Sequence, residues 1–174
     1  MKLMPLIAAT LVCTASLFAA HAHADGINAG LEIQDKISVV DLGLPAYPGA
    51  VPQLDDKEEK AGVGFSLWGG SFGIKLQVLK FRSSDSVEKI SSFYREAMSR
   101  YGKVLDCSVS APEDEPRDKS DKKSIRLRCS KDDVKAGKLV FKVGKDDRHF
   151  RLVSFQRESD GTHFQLLKLA VNGD

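Results

Sequence analysis

The stretch DSVEKISSFYREAMSRYG, residues 85–102, decides the predicted fold because it is the only long segment with a helical period. Asp85, with Glu88 three residues later, predicts a capping box at its start, and Gly102 predicts the left-handed residue that ends it. We therefore expect one long helix over residues 85–102. Its apolar residues recur at spacings of three and four and share one face: Val87, Ile90, Tyr94, Ala97, Met98 and Tyr101.

The rest of the chain is typical of short strands and turns. Residues 37–42 (ISVVDL) are rich in β-branched side chains and predict a strand. Residues 63–68 and 72–81 predict a hairpin closed by Gly69-Gly70. In that register Leu67 lies opposite Phe72, and the apolar face of the hairpin is expected to lie on the core.

Two strand patterns indicate burial on both sides of the sheet. After Val78 the apolar positions change phase, which predicts a bulge or burial on both faces. The last hairpin, closed by Asp160-Gly161, also carries apolar residues on both faces. Because one helix covers only one side, we expect the proline-rich segment around Tyr47, or a second sheet layer, to cover the other.

These elements predict one α+β domain over residues 25–174. Its mainly antiparallel β-sheet would be covered by one long α-helix, in the order β-β-β-α-β-β-β-β-β.

The first 24 residues predict a cleaved signal peptide. Lys2 precedes an apolar run over residues 6–20, and Ala22-His23-Ala24 fits a signal peptidase site. The run is too short for a comfortable membrane span of about 20 residues. We expect a periplasmic or secreted chain, cleaved after Ala24, with no transmembrane segment.

Two cysteines, Cys107 and Cys129, remain after cleavage and predict a disulfide. If residues 103–109 and 124–131 form antiparallel strands with the cysteines opposite each other, their apolar faces coincide. The alternative is two buried free thiols. Closing this loop would contribute about 3 kcal/mol.

The charge balance argues against nucleic acid as a partner. The chain has 26 Lys and Arg against 24 Asp and Glu, a net charge of +2. Electrostatic nucleic-acid binders need a basic stripe. A charged loop over residues 113–123 is expected to be solvated.

The histidines give no catalytic or metal-binding pattern, so we expect no metal and no cofactor. His21 and His23 fall within the predicted signal peptide. His149 and His163 lie near strand ends, at no zinc-ligand spacing and beside no nucleophile motif. An enzyme that uses either histidine stays open, but a non-catalytic protein is favoured.

Four residues form the candidate binding surface: Tyr47, Trp68, Tyr94 and Arg95. Trp68 at the hairpin tip could anchor a partner, although a ring folded over the sheet edge is favoured. Tyr94 and Arg95 could line a seam between helix and sheet, although Tyr94 is favoured as a core residue.

Three short motifs resemble a group of small exported bacterial proteins of unknown function. They are the turn LPAYPGA over residues 44–50, the segment DSVEK over residues 85–89, and FYR over residues 93–95 followed by Tyr101-Gly102. The resemblance implies a proline-glycine turn, a hairpin, an FYR-containing helix and a strand-rich C-terminal half. It implies no activity, ligand or site residue.

We therefore expect an exported, non-catalytic module that binds a protein partner or associates with the envelope. The alternative is a carrier of a small apolar molecule or lipid, held in a pocket between helix and sheet.

Overall fold

The computed structural model describes residues 28–54, 61–108, 126–130, 133 and 138–173. The elements in chain order are β1 (Ala29–Gln34), α1 (Val39–Leu42), β2 (Val51–Pro52), β3 (Gly62–Gly69), β4 (Phe72–Ser83), α2 (Val87–Ser99), β5 (Leu105–Asp106), β6 (Lys138–Gly144), β7 (His149–Glu158) and β8 (Gly161–Asn172). The strands form one eight-stranded sheet in the order β1-β3-β4-β8-β7-β6-β5, and β2 pairs with the end of β4. All described strand pairs are antiparallel.

The predicted fold class is wrong: no long helix covers the sheet in the described residues. α2 has 13 residues, is capped by the Ser86 hydroxyl and ends at Arg100. At about 1.5 Å per residue it is about 20 Å long, whereas seven adjacent strands span roughly 29 Å. α2 packs mainly on β7 and β6. The element order is β-α-β-β-β-α-β-β-β-β.

The first predicted strand, residues 37–42, is instead the short helix α1. The backbone N–H and the hydroxyl of Ser38 both donate to the Asp41 carboxylate, at 2.7 and 2.8 Å. Gly43 ends the helix in the left-handed region, with φ of 69°. These capping groups at both ends outweigh the β-propensity of Val39 and Val40.

The predicted β3–β4 hairpin forms, but its register differs by two residues. Gly69 lies opposite Phe72, so the turn is Gly70-Ser71, and Leu67 lies opposite Ile74. A shift of two residues keeps the same side chains on the same face. The structure places that face on the side of the sheet away from α2, so its expected position on the core is wrong.

The core lies on one side of the sheet, between the strands and a cover made by α1, α2 and the turn around Tyr47. Tyr47 therefore lies on the same side as α2, and the expectation that it covers the opposite face is wrong. The buried core residues are Leu42, Leu44, Tyr47, Leu79, Ile90, Tyr94, Met98, Phe141, Val143, Val153, Phe155, Phe164 and Leu166.

Cys107 and Cys129 lie at disulfide distance, with 5.3 Å between their Cα atoms, so the predicted pairing is found. Of the two strands predicted around them, the first is found only as the two-residue β5. Leu105 and Asp106 pair with β6, and residues 126–130 form no strand. A buried ion pair instead holds the Cys129 segment, since Lys142 Nζ lies 2.5 Å from the Asp133 carboxylate. Residues 109–125, with the predicted charged loop, lie outside the described residues.

Candidate functional site

The motifs that carry the family resemblance meet where the turn at residues 44–50 docks on α2. The Tyr47 hydroxyl donates to Asp85 Oδ2 at 2.6 Å, and Lys89 Nζ lies 2.9 Å from the same oxygen. The hydrogen bonds from Lys89 and Tyr47 hold the pKa of Asp85 below its usual value. Burial, followed by the Asp85 hydrogen bond, raises the pKa of Tyr47. This network locks the turn to the helix start and presents no free nucleophile or base.

Tyr94 lies within an aromatic cluster that fills the space between α2 and the sheet. Its side chain is fully buried and contacts the rings of Phe93, Phe155 and Phe164. Its hydroxyl donates to the Pro45 carbonyl at 3.3 Å, and burial raises its pKa well above the usual range. The carrier alternative placed its ligand in this space, which the core side chains occupy.

Arg95 bridges α2 to the edge of the sheet. Its guanidinium lies 4.2 Å from the centre of the Phe141 ring and 2.7 Å from the Asp106 carboxylate. Burial raises the pKa of Asp106, but hydrogen bonds from Ser108 and Arg95 outweigh it, so the pKa is lowered. Arg95 thus has a carboxylate partner within the chain.

Trp68 lies far from these residues, near the β3–β4 turn. It is opposite Gly73, whereas the aromatic cluster joins β4 at Phe81, eight residues or about 26 Å along the strand. Its indole ring lies against Gly30 in the edge strand β1, where an added Cβ would collide with it. The favoured interpretation, a ring folded over the sheet edge, agrees with this position. The four residues of the candidate binding surface therefore do not share one surface.

The side of the sheet away from α2 carries a broad apolar surface, which we call the open face. It crosses β1, β3, β4, β8 and β7. The strand register puts fourteen apolar residues on it: Leu31, Ile33, Val63, Phe65, Leu67, Phe72, Ile74, Leu76, Val78, Phe150, Leu152, Leu167, Leu169 and Val171.

The open face is exposed although its side chains are apolar. Leu31 is 60 % exposed, Ile33 63 %, Val63 49 %, Leu67 39 % and Phe72 42 %. Scattered exposed apolar residues are ordinary, but a contiguous group marks an interaction surface. The described residues place no second layer over this group.

The apolar side of the sheet changes halfway along β4 and β8. In the helix half, β4 residues 79–83 and their partners, Leu79 faces the core and Lys80 points to the other side. In the hairpin half, β4 residues 72–78 and their partners, Leu76 lies on the open face and Lys75 on the side of α2. The register runs unbroken across Val78, so no bulge explains the phase change.

A strip of cations occupies the side of the hairpin half opposite the open face. Arg151 Nε donates to the Leu42 carbonyl at 2.7 Å, and Lys168 Nζ donates to the Asp41 carbonyl at 2.7 Å. Burial, then repulsion from Arg151 and Lys75, lowers the pKa of Lys168. Two of these cations hold the C-terminal end of α1, which explains their position without a ligand.

The two histidines lie on opposite sides of the sheet. His149 Nδ1 lies 3.1 Å from the Asp146 carboxylate, and His163 Nε2 lies 2.9 Å from that of Asp160. Each histidine has a carboxylate three residues earlier, but no serine, threonine or cysteine partner is found for either in the described ranges. The enzyme hypothesis gains no support from this geometry. Among the described residues no group of three or more acidic, histidine or cysteine side chains could hold a metal ion.

Comparisons with protein-family models, curated proteins and solved structures found no match for this chain. The resemblance to small exported proteins therefore stays a prediction. No helix within the described ranges is long and apolar enough to span a bilayer. The cysteine pair is compatible with an oxidising compartment.

Sequence reasoning anticipated apolar residues on both sides of the sheet from two strand patterns, but it did not predict that one side would be left exposed in the described residues. The phase change after Val78 marks the point where the apolar side of β4 switches. Nothing in the sequence says which side α2 and the Tyr47 turn cover, because both lie far along the chain from the strands they contact.

Proposed function

We propose that the chain is an exported, non-catalytic module that binds a protein partner through its open face. Export rests on the signal-peptide pattern of residues 1–24, with cleavage after Ala24 into the periplasm or outside the cell. The cysteine pair agrees with that destination. The single observation that supports protein binding is the inverted polarity of the hairpin half: its apolar side chains lie on the side of the sheet away from α2.

The inverted polarity identifies which side of the hairpin half is adapted to burial. An antiparallel sheet with one covered side alternates apolar residues toward its cover and polar residues toward water. In the hairpin half the side toward α2 carries the polar Lys75, the buried Gln77 and the Trp68 ring, whereas the open face carries only apolar side chains. The open face therefore has the pattern of a covered surface.

The shape of the open face favours a protein over a small molecule. Small ligands bind in concave pockets that enclose most of their surface. The open face is a sheet surface five strands wide, with its most exposed side chains on β1, β3 and β4. Such a surface matches a protein interface, whose centre is apolar and whose rim is polar.

Site-specific photo-crosslinking in cells tests this function. A photoreactive amino acid replaces Leu67 on the open face, and the control replaces Lys75, which is exposed on the opposite side of the same hairpin. We expect a discrete protein adduct from position 67 and none from position 75. Adducts from both positions alike, or no protein adduct from position 67, would refute the proposal.

A purified partner then gives the quantitative test. The protein found in the adduct is mixed with the wild-type chain, with Ile33→Glu and with Gln34→Glu. These neighbouring residues of β1 lie on opposite faces, since Ile33 is opposite Phe65 and Gln34 is opposite Gly64. We expect Ile33→Glu to weaken binding at least about tenfold and Gln34→Glu to leave it within about twofold.

A further inference from the structure

The exposed apolar area of the open face is close to what one side of a protein interface requires. At about 180 Å² for a fully exposed large apolar residue, the five most exposed side chains present roughly 450 Å². The nine partly buried ones add on the order of 300 Å². The largest apolar patch of a typical monomer is about 300–600 Å², whereas a standard interface buries about 800 Å² per partner.

The open face is also suited to contact a copy of itself. A two-fold interface brings the same patch of both subunits together, so that patch must be self-complementary. In the hairpin half the open face carries only apolar side chains across β3, β4 and β8, so no like charges would meet in the centre. Two sheets pack face to face about 10 Å apart with strands about 30° from alignment.

The helix half supplies the polar boundary of this surface. Lys80, Arg82, His163 and Gln165 continue the same side of β4 and β8 beyond the apolar residues. Full overlap of two sheets would bury these groups and bring like charges together, which is costly. Overlap limited to the two hairpin halves leaves them in water, so the polar boundary sets how far the faces can overlap.

We propose that the partner is a second copy of this chain, with the two open faces packed sheet on sheet through their hairpin halves. This inference rests on the proposed function and names its partner. Two segments outside the described residues fit the open face less well by composition. Residues 55–60 read DDKEEK, and residues 113–123 are mostly charged or proline.

Sedimentation analysis of the purified chain over a concentration series tests the dimer. Mass spectrometry of the same sample establishes whether residues 1–24 are present. We expect a dimer at micromolar concentration. Leu67→Glu and Ile33→Glu should raise the dimer dissociation constant at least about 50-fold, since each buries a charge in an apolar interface.

Matched controls separate the interface from general effects of charge. Ser66→Glu and Gln34→Glu add the same charge one residue away, on the opposite face, and should leave the dissociation constant within about threefold. Leu67 and Ile33 are exposed in the single chain, so both variants should keep the wild-type circular dichroism spectrum. If Leu67→Glu fails to fold, Ile33→Glu on the edge strand provides the test alone.

The outcomes distinguish this inference from the proposed function. A wild-type monomer at about 100 μM, or a dimer that all four variants leave intact, overturns the second copy as partner. A monomer whose position 67 crosslinks to another protein keeps the proposed function and refutes only the dimer. A monomer without any adduct refutes both. A monomer that retains residues 1–24 also overturns the dimer, because that apolar segment would then be the candidate cover.

Discussion

Replacing Tyr47 tests whether the proline-glycine turn is held to α2 by packing, by its hydrogen bond, or by both. Tyr47 is buried, and its ring contacts Phe93, Tyr94 and Phe164 at centroid distances of 5.2, 6.5 and 6.3 Å. Truncating a large buried aromatic residue to alanine costs about 3–5 kcal/mol of unfolding free energy. Tyr47→Phe keeps the ring and removes only the hydroxyl that donates to the charged Asp85 carboxylate, so we expect a smaller loss of about 1.5–3 kcal/mol.

Urea unfolding at neutral pH measures both changes. Trp68 is the only tryptophan in the chain and lies at the other end of the sheet, so its fluorescence reports global unfolding and not a local change at the turn. Circular dichroism provides a second probe of the same transition. We expect coincident transitions and the order wild type, Tyr47→Phe, Tyr47→Ala in decreasing stability.

The same network predicts an acid dependence. The pKa of Asp85 is lowered in the folded chain by Lys89 and Tyr47, so the ionised carboxylate is favoured by folding. A depressed folded pKa gives stability that is present above the unfolded pKa and is lost as pH falls through the folded value. We expect Asp85→Asn to be less stable than wild type at pH 7, with the difference narrowing below about pH 4.

Two results would refute the proposal that Tyr47 holds the turn to α2 by packing and by its hydrogen bond. A loss of less than about 1 kcal/mol in Tyr47→Ala would show that the turn is not part of the cooperative core. Equal losses in Tyr47→Phe and Tyr47→Ala would show that the aromatic contacts contribute nothing beyond the hydroxyl. Either result would remove the structural explanation of the LPAYPGA and DSVEK motifs and reopen a functional one.

Three further predictions concern the cysteine segment and the sheet edge. Replacing Cys107 and Cys129 together by alanine should lower the unfolding free energy by about 3 kcal/mol, because the disulfide closes a separation of 22 residues; a denaturation midpoint equal to that of the wild type would contradict this. Lys142→Met should cost about 3 kcal/mol or more, since it leaves the buried Asp133 carboxylate without its cation, and adding Asp133→Leu should regain part of that loss. Thermal unfolding measures the stability of both variants. A Lys142→Met variant as stable as the double variant would count against the buried ion pair. Gly30→Ala should displace the Trp68 ring and shift its fluorescence maximum toward that of a fully exposed indole; an unchanged emission spectrum would mean that the ring does not lie on Gly30.

The sequence predicted which helix residues are buried better than it predicted where the helix begins and ends. The apolar stripe correctly places Ile90, Tyr94 and Met98 in the core. The helix nevertheless begins two residues later than predicted, because Ser86 caps it while the Asp85 carboxylate accepts hydrogen bonds from Tyr47 and Lys89. That competing use of Asp85 comes from a residue 38 positions away, which no local pattern shows.

Two local errors, the strand at residues 37–42 and the hairpin register, have different physical origins. The strand predicted at residues 37–42 relied on β-branched composition, although Ser38 and Gly43 already carried the cap signals of a short helix. The hairpin register was two residues off because that shift leaves every side chain on its predicted face. Periodicity fixes which residues share a face, but it does not fix the partner across the hairpin.

The cysteine pair shows that a correctly predicted disulfide does not establish the secondary structure on either side of it. Cys107 and Cys129 meet as expected, yet Cys107 donates its backbone N–H to Val140 and lies in the β6 ladder. The disulfide therefore ties residues 126–130 to the sheet without adding a strand there. Asp133, through Lys142, supplies a second attachment that the charge pattern alone did not reveal.

The phase change after Val78 is best explained by two different covers on the two sides of one sheet. A single cover would need the apolar residues of β4 to stay on one side along its whole length. Instead Leu79 and Phe81 lie toward α2 and the Tyr47 turn, while Ile74, Leu76 and Val78 lie on the open face. β8 makes the same switch between Leu166 and Leu167, in register with β4. Two neighbouring strands that change sides at the same level reflect a feature of the whole sheet and not of one side chain. The cover of the helix half is within the chain, so the hairpin half is where an intermolecular contact has to be sought.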